Sequence, residues 1–185
     1  MKQVEIDFEY LNTLGTLLSK VTFSGGMSKF IKCTVAGGAI RDMLLQKPVN
    51  DIDVFYEGTL NEKSISSYFH QVKASNQVYP DGFNVTHTVW MTGIPVPIQL
   101  IQVKDIDKHI QTFPTPMSRV QYSHEKGLEG VDLDFVFTVK MNEFVWDQKV
   151  DASYFDKIQE KYSDWNHIFL DPTYNPHYEE ESEFQ

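Results

Sequence analysis

Val35-Ala36-Gly37-Gly38-Ala39-Ile40-Arg41-Asp42-Met43-Leu44-Leu45, followed after the spacer 46–50 by Asp51-Ile52-Asp53-Val54, is the stretch that decides the fold. An apolar run ends in a glycine pair, a short amphipathic segment follows, and a second apolar run carries two acids separated by one residue. That order predicts strand, tight turn, helix and strand. Successive strand residues face opposite ways, so Asp51 and Asp53 share a face, roughly 6–7 Å apart, while Ile52 and Val54 point into the other layer. Two carboxylates on one rigid strand offer hard oxygen ligands to a divalent cation. Gly37 and Gly38 have two readings. They permit a positive φ or close packing of helix on strand, or they expose backbone N–H groups to a phosphate at the start of the helix.

Composition bounds the rest. A chain of 185 residues with 41% hydrophobic and 14% aromatic residues has the means for one ordinary core. No apolar run approaches the ~20 residues that span a bilayer, and the polar start Met1-Lys2-Gln3 lacks the apolar core of a secretory signal. Cys33 is the single cysteine, which rules out an internal disulfide and a cysteine-cluster zinc site. A cytoplasmic protein without membrane contact is therefore expected. The formal net charge of −10 disfavours an extended nucleic-acid groove, since phosphate neutralisation needs a basic face.

Outward from the central stretch, apolar spacing of three and four predicts helices over 6–21, 62–73 and 153–165. Ser24-Gly25-Gly26 reads as a loop, and so does 74–81. Residues 83–90 and 96–103 read as a hairpin whose second strand starts late because of Pro95 and Pro97. A short helix over 105–111 is capped by Asp105. Strands are expected over 117–122 and over 131–139, where Leu133, Phe135, Phe137 and Val139 alternate with Asp132, Asp134, Val136 and Thr138. Residues 1–170 are expected to form one domain, and 171–185, with Glu179-Glu180-Glu181, a loose acidic tail.

Residues 35–54 resemble the head of the nucleotidyltransferase superfamily, which includes DNA polymerase beta, poly(A) polymerases and CCA-adding enzymes. The likeness is to the poly(A) polymerase and CCA-adding branch, whose pattern runs GGxxRDxLL, a short spacer, then DxD. It implies an α/β (α+β) fold, a mixed sheet with helices mainly on one face. It also implies transfer of a nucleoside monophosphate from a nucleoside triphosphate to an acceptor hydroxyl on an RNA end, a protein or a small molecule. By that resemblance Asp51 and Asp53 are the catalytic and metal-binding carboxylates, for Mg2+ or Mn2+, and Gly37, Gly38, Arg41 and Lys104 are nucleotide-binding. Arg41 has a second reading, an ion pair that anchors the helix beside Asp42. Short stand-alone chains of this type occur in phages and mobile elements, which makes such an origin an expectation.

One part of the pattern departs. Where CCA-adding relatives carry a strand resembling VEVTTFR, this chain has Ile98-Gln99-Leu100-Ile101-Gln102-Val103-Lys104. Gln99 stands where that pattern has an acid and is a poorer magnesium ligand; Lys104 keeps a positive charge. Asp132 and Asp134 offer a substitute acidic pair, or simply the exposed face of their segment. The alternative to an enzyme is a catalytically inactive nucleotide-binding or protein-interaction module that kept the fold. The six histidines are dispersed without HxH or HxxxH spacing, and Gly37-Gly38 fits neither GxGxxG nor the P-loop pattern. Nothing selects the base of the triphosphate or names the acceptor.

Overall fold

Two strands, β1 (Cys33–Ala36) and β2 (Ile52–Tyr56), are covered on both faces and form the centre from which the sheet extends. A computed structural model describes residues 13, 15–18, 31–78 and 84–177. Between β1 and β2 lies helix α1 (Gly38–Leu44). There follow α2 (Glu62–Tyr68), β3 (Gln71–Val78), β4 (Asn84–Trp90), β5 (Ile98–Gln102) and α3 (Ile106–Gln111). A 3-10 turn (Pro116–Ser118), β6 (Gln121–Ser123), β7 (Gly127–Glu129), α4 (Leu133–Met141), β8 (Glu143–Trp146), α5 (Ala152–Lys161) and β9 (Asn166–Phe169) complete the order.

Among the described residues, seven strands make one mixed sheet in the order β3-β4-β5-β2-β1-β6-β7, in which only β2 and β5 run parallel. On one face Val35, Ile52, Val54, Ile98 and Leu100 pack against Ile40 and Met43 of α1, Ile65 of α2, Phe135 of α4 and Ile158 of α5. Leu17 and Leu18 join that cluster. The other face holds Phe55 and Ile101 beneath Ile106 and Ile110 of α3. The helices therefore lie mainly on one face, as expected. Each fully buried Ile or Leu contributes about 1.5–3 kcal/mol. A separate pair of parallel strands, β8 and β9, carries Phe144 and Trp146 inward.

Three expectations are corrected. Residues 131–139 are no strand. The Asp132 side chain accepts from the Phe135 N–H at 2.9 Å, Asn142 closes the far end at φ 57°, and α4 forms between the two caps. The capped helix turns Phe135 and the partly buried Val139 inward, four residues apart, and leaves Leu133, Phe137 and Met141 exposed. The second helix stops at Tyr68, and Gln71–Val78, expected to be part helix and part loop, is an edge strand paired with β4. An edge strand needs no apolar alternation, so Gln71-Val72-Lys73-Ala74-Ser75 conceals it. In 117–122 only Gln121 and Tyr122 are in a strand. Of the helix expected over 6–21, residues 13 and 15–18 are described and helical. The loop at 24–26 and the acidic residues 179–181 lie outside the described residues. Within the expected tail, residues 171–177 pack against the body: the Val150 N–H donates to the Tyr174 hydroxyl at 2.9 Å, and that hydroxyl donates to the Val150 carbonyl.

A buried ionic network fixes α1. Arg41 is 2% exposed. Its Nε donates to Asp42 Oδ1 at 2.8 Å and to the Tyr162 hydroxyl at 3.2 Å, and its Nη1 donates to Ser118 Oγ at 2.8 Å. Asp42 also accepts from the Tyr162 hydroxyl at 2.7 Å and pairs with Lys161. Burial alone would lower the Arg41 pKa, but the Asp42 carboxylate reverses this and holds the guanidinium above its ordinary range. Removing one member of such a network strands a charge in the interior. Asp42→Ala is therefore expected to lower unfolding free energy by about 3–5 kcal/mol in urea titrations; a loss within about 1 kcal/mol would contradict this role.

Candidate active site

The glycine turn and the two acids meet at one end of the sheet. β1 and β2 are antiparallel with Val35 opposite Val54, so the end of β1, where Gly37 follows, lies beside the start of β2, where Asp51 and Asp53 sit. Gly37 has φ 82° and ψ −145°, a backbone region open in practice to glycine alone, and its N–H donates to the Ser118 carbonyl at 3.1 Å. A Cβ on Gly38 would come within 3.3 Å of Arg41 Nη2, so this glycine lets the guanidinium fold back beneath the turn.

Asp51 immediately precedes β2 and Asp53 is its second residue; both are half-buried. Among the described residues neither carboxylate has a hydrogen bond or ion pair. Desolvation, with the neighbouring Asp51 charge second, pushes the Asp53 pKa up to about 7, and Lys157 on α5 works against the rise. Two uncommitted carboxylates that repel each other in a partly dry setting fit a divalent cation, whose charge removes the penalty. Gln99 is the register partner of Asp53 on β5, and Thr88 on β4 is the partner of Gln99. The neutral amide thus stands directly beside the acid pair. Among the described residues no group of three acids, histidines or cysteines is placed to hold a metal.

The other expected residues are dispersed. Asp134 lies exposed in the first turn of α4, on a helix and not on the strand expected for it. Lys104 follows the far end of β5, five residues beyond Gln99, which is roughly 16 Å along an extended strand. The structure does not bring it to Asp51 and Asp53. Arg41 points inward and occupies the anchoring arrangement, its donors taken by Asp42, Tyr162 and Ser118. A cavity of about 400 Å³ lined by Tyr56, Glu62, Thr86, His87 and Gln102 includes none of the expected site residues. Missed from sequence are the partners of Arg41 and Asp42, namely Ser118, Lys161 and Tyr162, which lie 77 to 121 residues away.

The model of the Gabija anti-defense 2 family (Gad2) matches residues 9–161, and the chain belongs to that family. No curated protein matches it. A solved CCA-adding enzyme in complex with CTP is 14% identical, with a TM-score of 0.60 over 89% of this chain and 41% of that one. A Thermotoga maritima CCA-adding enzyme complexed with tRNA is 16% identical, with a TM-score of 0.54 over 76% of this chain and 33% of that one. A tRNA-processing enzyme without ligand is 14% identical, with a TM-score of 0.54 over 78% and 38%. These likenesses establish a nucleotidyltransferase-type fold. The chain spans 33–41% of the length of those enzymes.

The raised Asp53 pKa has a consequence for stability. The folded state binds this proton up to about pH 7, the unfolded chain only to about 3.8. Asp53 therefore withdraws stability as pH rises from about 4 to 7 and leaves it reduced above that window. Asp53→Asn is expected to raise stability by about 1–3 kcal/mol at pH 8, with the difference from wild type vanishing near pH 4. Paired thermal melts across that range provide the check. A difference that grows toward acid pH would contradict it.

Proposed function

We propose that this Gabija anti-defense 2 family member is a metal-dependent nucleotidyltransferase, which moves a nucleoside monophosphate from a nucleoside triphosphate to an acceptor hydroxyl. The observation that carries the reading is the pair of uncommitted carboxylates, Asp51 and Asp53, beside the glycine turn in a nucleotidyltransferase fold. Magnesium or manganese bound there would neutralise triphosphate charge and polarise the α-phosphate. Asp51 and Asp53 would hold that ion, with the Gln99 amide oxygen as a neutral neighbour. Gly37 and Gly38, lacking side chains, let the turn backbone come close to the phosphates.

The acceptor oxygen forms a bond to the α-phosphorus, the bond from that phosphorus to the bridging β-oxygen breaks, and pyrophosphate leaves with the electron pair. The acceptor proton passes to water. Such transfers rest on alignment and charge, with little covalent work for the protein. We place the acceptor within the defense named in the family's description, as a protein, a small molecule or an RNA end. The net charge of −10 favours the first two over a long RNA.

A second reading has its own support. Gln99 where the CCA-adding pattern has an acid, with no group of three metal-ligating acids among the described residues, fits a nucleotide-binding module that has lost transfer. The two readings separate on incubation with each labelled nucleoside triphosphate, magnesium and candidate acceptors. The enzyme reading expects label transfer by wild type and a fall of at least about 100-fold in Asp51→Asn and Asp53→Asn. Equal transfer by wild type and variants removes this site from the mechanism. Nucleotide binding without transfer to any acceptor supports the binding module.

A further inference from the structure

The cavity of about 400 Å³ lies across the sheet from Asp53. Tyr56, which lines it, is three residues beyond Asp53 on β2, so the two side chains leave opposite faces, roughly 10 Å apart along the strand. Tyr56 shares its face with Ile52 and Val54, whereas Phe55 packs on the other. Gln102 is the register partner of Tyr56 on β5, and Leu60 and Glu62 close the cavity from the entry to α2. On β4 the register shifts between Val85 and His87, leaving Thr86 as an extra residue. A bulge of this kind re-aims a side chain. Thr86 and His87, which regular alternation would send to opposite faces, both line the cavity.

Counting protons fixes the polarity of this wall. The Thr86 hydroxyl lies 3.1 Å from the Leu100 carbonyl, 2.9 Å from the Tyr56 hydroxyl and 3.0 Å from His87 Nδ1. A carbonyl only accepts, so the single Thr86 proton goes to Leu100, and Tyr56 and His87 both donate to the Thr86 oxygen. His87 therefore carries its proton on Nδ1. Burial holds the imidazole pKa below its ordinary value, against the pull of the Glu62 charge, so the ring is neutral at pH 7 and Nε2 is a bare acceptor. Gln102 donates its Nε2 to the Gly58 carbonyl and keeps Oε1 as an acceptor. Among the described residues neither His87 Nε2 nor the Glu62 carboxylate has a hydrogen bond or ion pair, and no lysine or arginine lines the cavity. Nor does a third acid, histidine or cysteine join them to hold a metal. Several acceptors and one uncompensated negative charge suit a cation that carries several donors. We propose that this cavity binds a primary alkylammonium group, of a free polyamine or of a lysine side chain, through Glu62, His87 Nε2 and Gln102 Oε1. Leu60 and the Tyr56 ring offer apolar surface to its stem. The net charge of −10 draws such a cation toward the protein. This site is separate from Asp51 and Asp53 and does not rest on nucleotide transfer.

The test is calorimetric titration of the full chain with putrescine, with the amide of Nα-acetyl-lysine, and with the neutral diol that matches putrescine in length. Wild type is compared with Glu62→Gln, His87→Ala and Glu160→Gln. Saturable one-to-one binding of an amine is expected, with the diol weaker by about 10-fold or more, the size of one charge-assisted contact. Glu62→Gln should weaken amine binding by about 10-fold or more and His87→Ala by about 3-fold or more, whereas Glu160→Gln, exposed on α5, should match wild type. Because Glu62 is exposed, its variant should melt with wild type. Tighter binding of the lysine amide assigns the ligand to a protein side chain, and tighter binding of putrescine assigns it to a free polyamine. Absence of saturable binding by both amines overturns the site. Equal weakening by Glu62→Gln and Glu160→Gln also overturns it, since the attraction would then be to net charge alone. Nitrogen NMR of the histidines gives an independent check: a His87 proton on Nε2 at pH 7, in place of Nδ1, overturns the assignment.

Discussion

The buried pairing of Arg41 with Asp42 is the constraint on which the candidate site depends. A guanidinium that is 2% exposed must have its donors satisfied, and Asp42, Ser118 and Tyr162 satisfy them from three separate parts of the chain. The network thereby ties α1 to the turn at 116–118 and to the end of α5. Gly38 leaves room for the guanidinium, and Ser118 also accepts the Gly37 N–H through its carbonyl. The glycine turn is consequently held from beneath, at the sheet end where β2 begins. Within the GGxxRD pattern, the Arg-Asp half anchors the turn, while the Gly-Gly half shapes the surface beside Asp51 and Asp53.

A second consequence is electrostatic. The sheet presents Asp51 and Asp53 without a protein partner among the described residues, and burial with mutual repulsion raises the Asp53 pKa to about 7. Such an arrangement lowers stability at neutral pH unless a cation joins it. Groups perturbed by desolvation and a like charge concentrate at functional sites. Helix α5 belongs to the scaffold, since Lys161 and the adjoining Tyr162 lock Asp42.

How much of this was legible depends on the range of each interaction. Strand alternation is local, so Asp51 and Asp53 could be set on one face from sequence, and Gly37-Gly38 marked the turn. Gln99 was also legible, and the register confirms that it stands beside Asp53. The partners of Arg41 and Asp42 lie up to 121 residues away, so their burial could not be read locally. Residues 131–139 misled because Leu133, Phe135, Phe137 and Val139 alternate as a strand would, while the caps at Asp132 and Asn142 decide for helix. The edge strand β3 escaped because its polar residues need only backbone pairing.

Family membership and fold define the setting; the chemistry proposed for it rests on the acid pair. The direct measurement is a crystal structure of the protein with magnesium and a non-hydrolysable nucleoside triphosphate. The account predicts a metal ion bound by Asp51 and Asp53 with the triphosphate on it, against the turn at Gly37 and Gly38. A triphosphate bound elsewhere, with no metal at Asp51 and Asp53, would contradict it.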